Sequence, residues 1–101
     1  MAKVKVETKP FDPADYIRDD EEAALYISDA LKSGDAADVA TALGTVARAR
    51  GASGLARATG LSRAALYSSL SPSGNPTLAT VLSVLKELGM EMRVEPGRKA
   101  A

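Results

Sequence analysis

Between residues 19 and 89 apolar residues return at helical spacing in five short blocks, each bounded by residues that start or stop a helix. The first block predicts a helix beginning at Asp19 or Asp20, with Ala24, Ile27 and Leu31 as its apolar stripe. Asp20, Glu21 and Glu22 stand in its first turn, where negative charge meets the positive end of the helix dipole. Ser33-Gly34 closes it, Gly34 being suited to the left-handed position after a helix end. Asp35 then caps a second helix in which Ala36, Val39, Ala40, Leu43, Val46 and Ala47 share one face, ending at Gly51. Gly44 inside it costs about 1 kcal/mol relative to Ala, unless close packing needs the small residue. Ser53 is expected to cap a short helix holding Leu55 and Ala56 and stopped at Gly60. Ser62 caps another, holding Leu66 and Leu70. Residues 71–76, "SPSGNP", form a loop by every local rule. Thr77 caps a last helix with Leu78, Val81, Leu82, Leu85 and Leu88 on one face and Gly89 as its stop.

The ends of the chain follow another period. Lys3-Val4-Lys5-Val6-Glu7-Thr8 and Met90-Glu91-Met92-Arg93-Val94 alternate and predict short strands. Pro10 ends the first, and Phe11-Asp12-Pro13 reads as a turn or helix entry, with Asp12 as cap and Pro13 at the first helical position. An isolated strand is unstable, so these two need each other, a second copy or a partner's sheet edge. The expected fold is therefore all-α, about five helices with short terminal β-strands. Residues 1–18 form an N-terminal strand and extension, 19–89 the helical domain, and 90–101 a short C-terminal strand and tail.

Composition narrows the chemistry. The chain has 101 residues, enough for one domain, and 46% of them are hydrophobic. Its only aromatics are Phe11, Tyr16, Tyr26 and Tyr67, so the core is aliphatic. With neither Cys nor His, disulfides, thiolate metal sites and the usual general bases are missing, so no enzyme, metal or cofactor is expected. No apolar run reaches membrane-spanning length and no signal-peptide pattern is present, which predicts a soluble, cytoplasmic protein. The net charge of zero conceals an asymmetry: residues 1–44 hold five basic and ten acidic side chains, residues 45–101 eight basic and three acidic. Either the chain carries an acidic and a basic surface for two different partners, or the charges of a short chain have segregated by chance.

The stretch "GLARATGLSRAALYSSLSPSGNPT" meets the physical needs of a helix-turn-helix one by one. Ala56 is small where two helices cross closely; Gly60 tolerates positive φ in the turn; Leu61 plugs the core; Ser62 caps the second helix; Leu66 anchors it. That second helix also presents Arg63, Tyr67 and a row of serines, a face with no use in a core but suited to nucleic acid.

These residues resemble the Xre/Cro-type, lambda-repressor-like helix-turn-helix, with Leu55-Ala56, Gly60-Leu61-Ser62, Leu66 and Asn75-Pro76-Thr77 before a helix ending "LKELG". Over a longer span, "FDPADYI", "DDEEAALYI", "ALGTVARARG", "TGLSRAALY" and "LSPSGNPT" together resemble the addiction-module antidote proteins, small HigA-like antitoxins paired with a RelE/ParE-superfamily toxin. That likeness covers roughly residues 9 to 94. Three positions depart from the pattern. Thr59 and Ser69 stand where aliphatic residues are common, Leu70 being placed to pack in Ser69's stead, and the Gln frequent at the start of the first motif helix is replaced by the Ala52-Ser53-Gly54 region.

The resemblance implies a homodimer on double-stranded operator DNA, with the second motif helix in the major groove. Base contacts would come from Ser62, Arg63, Ala64, Tyr67 and Ser68, with Arg63 on guanine and Ala64 on a thymine methyl. Ser53, Ser62 and the amides at the two helix starts would hold phosphates, and Asn75 would reach the backbone. For the dimer, Val4, Val6, Met90, Met92 and Val94, beside helix 77–88, are the chosen surface. RelE-like toxins are typically basic, so the acidic first half would face the toxin. Plainer readings stand beside these: Arg63 as a solvated arginine, Tyr67 as a half-buried core residue, the serines as caps, and Asp19 to Glu22 as helix capping. The rival functions are a stand-alone Xre-family transcriptional repressor and a protein-interaction module that has lost DNA binding.

Overall fold

Asp12, Asp19, Asp35, Ser62 and Thr77 each accept a hydrogen bond from a backbone amide two or three residues ahead, and each opens a helical segment. The computed structural model describes residues 11–51 and 53–97. A short 3-10 turn, Pro13–Tyr16, precedes five α-helices: α1 (Asp20–Ser33), α2 (Ala36–Arg50), α3 (Ser53–Thr59), α4 (Arg63–Ser69) and α5 (Leu78–Glu87). The fold is all-α. Lys3–Thr8, expected as a strand and including Val4 and Val6, lies outside the described residues. Met90–Val94 forms no strand among the described residues, and Val94 is 95% exposed. Its alternation is real in the sequence, but among the described residues no neighbouring strand hydrogen-bonds with it.

The acidic run at the start of α1 works mainly as a cap. Asp19 accepts from the Glu22 amide at 2.8 Å, and Glu22 reaches back to the Arg18 amide at 2.7 Å, a variant of the reciprocal capping box. Asp20 pairs with Arg50 of α2, which leaves Glu21 in water. At the far end Gly34 takes the left-handed conformation (φ 70°) that its position requires.

The central element is α2, buried from Ala42 through Val46 and Ala47. Against it pack α1 and the 3-10 turn, while α3 rests on α4 and α5. The core joins Ile17, Ala23, Ile27, Leu43, Val46, Leu55, Leu66, Leu70, Val84 and Leu85. Three stripes differ from expectation. In α1 it is Ala23, not Ala24, that accompanies Ile27, and Leu31 is 41% exposed. In α2, Ala36 is exposed. In α5, Val84 is wholly buried whereas Leu78 and Leu82 face solvent. The buried face of that helix is centred on Val81, Val84, Leu85 and Leu88.

Asp12 ties the N-terminal turn to α2. It accepts from the Ala14 amide at 3.0 Å and from the Arg48 guanidinium at 2.8 Å. That hydrogen-bonded guanidinium, aided by the amide, holds the Asp12 carboxyl below the ordinary carboxylate range. A carboxyl lowered in the folded state contributes stability that is complete above its unfolded value, near 3.9, and is lost as pH falls through the folded one. Thermal melts of Asp12→Asn, which keeps a capping oxygen, should thus lie slightly below wild type at pH 7, with the gap closing towards pH 3. A gap independent of pH would show that the pair contributes nothing.

Candidate nucleic-acid interface

The chain from Ser53 to Ser69 folds as two short helices around a three-residue connection. Gly60 adopts φ 74°, as the turn requires of it. Leu61 packs half-buried against the core, Leu55 and Leu66 are almost completely enclosed, and Ala56 lies beside them. Thr59, where an aliphatic residue is common, has its own role. Its hydroxyl bonds the carbonyls of Leu55 and Ala56 and accepts from the Leu61 amide at 3.3 Å, so it pins the turn to the end of α3. Ser69 similarly donates to the Leu66 carbonyl at 2.8 Å, and the apolar contact next to it comes from Leu70, 3% exposed.

Ser62 caps α4 by accepting from the Ala65 amide at 3.1 Å, which leaves its own proton to donate. Beyond it Arg63, Ala64, Ala65 and Ser68 are exposed, and Asn75 is exposed in the loop that follows. Tyr67 departs from this group. It is half-buried and packs against the core. Ser53 is the first residue of α3, not the residue before it, and its side chain lies outside the described part of the structure.

Electrostatics thin the basic half. Arg48 and Arg50 are bound to Asp12 and Asp20, so the exposed bases of residues 45–97 without an ion pair among the described residues are Arg57, Arg63, Lys86 and Arg93. Hydrogen bonding to Asp12 also raises the pKa of Arg48, keeping that pair charged. Among the described residues no three acidic side chains converge to hold a metal ion, and no helix is long and apolar enough to cross a membrane.

One feature was not singled out from the sequence. Phe11 and Tyr16 stack with ring centroids 5.4 Å apart, and with Leu25 and Tyr26 they line an open groove between the 3-10 turn and α1. The available signal was the scarcity of aromatics: three of the chain's four meet there.

Of the residues proposed for a dimer, Met90 packs half-buried against the core, while Met92 and Val94 are exposed.

Residues 7–96 match the family model described as probable addiction module antidote protein. The chain is also 42% identical over 92 residues, 91% of its length, to an uncharacterized protein of Haemophilus influenzae, of which the match covers 95%. No solved structure matches. A family match over nearly the whole chain carries with it an antidote's role and a toxin as partner: the chain belongs to the family of probable addiction module antidote proteins.

Proposed function

We propose that this antidote is a DNA-binding antitoxin of the HigA-like type, which neutralises a RelE/ParE-superfamily toxin and represses its own operon. In this reading α3, the Gly60-Leu61-Ser62 turn and α4 form an Xre/Cro-type helix-turn-helix. The observation that supports it most is the exposed face of α4, where Ser62, Arg63, Ala64 and Ser68 stand over an anchor of buried leucines. Such a helix fits the major groove, which presents a distinct donor and acceptor pattern for every base pair. Arg63 takes the acceptor pair of a guanine, Ala64 meets a thymine methyl, and Ser62, Ser68 and Asn75 reach the neighbouring edges or phosphates. Two copies acting on half-sites one DNA turn apart, roughly 34 Å, require a dimer. Met92 and Val94, with the solvent-facing Leu78 and Leu82, are the apolar residues offered for it.

The test is a titration of the purified chain on its own upstream DNA at several salt concentrations, with Arg63→Ala alongside. Arg63→Ala should weaken specific binding by about 10- to 100-fold and relax selectivity at one base pair, the effect of losing a bidentate contact worth roughly 1–3 kcal/mol. Affinity should fall steeply as salt rises, because bound phosphates release counterions. Equal binding to upstream and random DNA would refute autoregulation. It would favour the interaction-module reading, which the pairing of Arg48 and Arg50 with carboxylates already supports.

A further inference from the structure

We infer that the groove between the 3-10 turn and α1 is where the toxin docks, taking an apolar side chain from a toxin segment flanked by lysines or arginines. This rests on the antidote reading and assigns it a surface.

The groove is apolar where the fold has no need of it. Phe11 is 73%, Tyr16 66% and Leu25 71% exposed, although Ile17, just after the turn, and Ala23 and Ile27 of α1 already supply core contacts. In a chain with four aromatics and an aliphatic core, gathering Phe11, Tyr16 and Tyr26 at one open site is a concentration of the residue types that dominate binding energy at interfaces. The site is too exposed to enclose a small molecule, which ordinarily loses most of its surface on binding. A protruding side chain of a protein partner needs only such an open trough.

The rim states the charge of that partner. Glu22 and Asp29 line the groove itself, and residues 11–34 hold seven acidic side chains against Arg18 and Lys32. Three of the seven are engaged: Asp12 with Arg48, Asp20 with Arg50 and Glu22 with Arg18. Asp15, Asp19, Glu21 and Asp29 form no ion pair among the described residues and are exposed, Asp19 serving as the cap of α1. Asp29 is thus the lining acid left uncompensated. With Glu21, one turn before Leu25 on α1, it gives the apolar centre an acidic flank, complementary to an apolar anchor beside basic side chains and able to speed encounter. None of the lining residues belongs to α3 or α4. Toxin and DNA therefore use separate surfaces of one chain.

The experiment measures binding of the full chain to the protein encoded by the adjacent gene, together with rescue of growth when the two are co-expressed. Wild type is compared with Leu25→Glu, Leu25→Met, Asp29→Lys and Arg63→Ala. Leu25→Glu should lose about tenfold or more in toxin affinity and fail to rescue, while keeping the melting temperature and DNA affinity of wild type. Leu25→Met should stay within about twofold of wild type, and Asp29→Lys should slow association and flatten its salt dependence. Arg63→Ala should keep full toxin affinity. Wild-type binding with Leu25→Glu unchanged would overturn the docking site and leave the antidote reading standing. If that unchanged affinity came with a loss of self-association, the groove would belong to a second copy. If it came with faster proteolysis within residues 1–10, the groove would belong to the chain's own start. Failure of the wild type itself to bind would defeat the antidote reading, and the docking site with it.

Discussion

Leu66→Ala is expected to cost about 3–5 kcal/mol, the upper part of the range for truncating a fully enclosed leucine. Leu66 has no solvent exposure and sits at the middle of a seven-residue helix, with Leu55, Leu70 and Val84 in the same core. The short helix is held at one end by the Ser62 cap and at the other by Leu70, so it has little freedom to settle into the space left behind. In a domain of this size each kcal/mol moves the melting temperature by about 4–8 °C, so the midpoint should fall by about 12 °C or more. The DNA binding proposed for α4 should decline with it at 37 °C, as the unfolded fraction grows. A fall of less than about 4 °C would mean that α4 is not seated on its core in the way described.

Gly44→Ala should destabilise by about 2–3 kcal/mol, against the direction that helix propensity alone would give. Gly44 lies in the buried stretch of α2, and a methyl group there would run into the carbonyl oxygen of Leu70, with the Leu70 carbonyl carbon and Cβ behind it. Backbone cannot swing aside as a side chain can, so relief would have to come from moving the end of α4. Gly54→Ala is the internal control. Its new methyl would meet only the carboxylate end of Glu87, a flexible side chain, and the gain in helix propensity should leave the change close to neutral. Thermal melts of the two variants side by side decide the matter. Equal stability of both would show that α2 and the end of α4 do not approach so closely.

The helix starts were the most legible part of the fold, since each depends on a side chain and an amide a few residues away. Asp12, Asp35, Ser62, Thr77 and Gly34 all act as their local sequence implies. The choice of buried face was less legible. Ala23 and Ala24 are equally apolar neighbours, and Val84 competes with Leu82 as a core residue; only the position of the facing helices separates them. Contacts between distant residues left no trace in any window of the sequence. Asp12 meets Arg48 across 36 positions, and that pairing removes a base from the surface that a charge count assigns to DNA. The aromatic groove escaped for the same reason, because Phe11 and Leu25 are brought together by packing and not by period. At the candidate interface the separation of Tyr67 from Arg63 and Ala64 came from burial alone.

At seven residues each, α3 and α4 are well below the length, about 12–15 residues, at which a helix persists on its own in water. They exist because Leu55 and Leu66 are held by the rest of the core. Their amide hydrogens consequently have no private route to the solvent. In heavy water the amides of Leu66 and Leu70, bonded within and at the end of α4, should exchange only when the whole domain opens, while those of the Pro13–Tyr16 turn exchange sooner through local fraying. The exposed face of α4 is therefore expected to be lost together with the fold and not piecemeal.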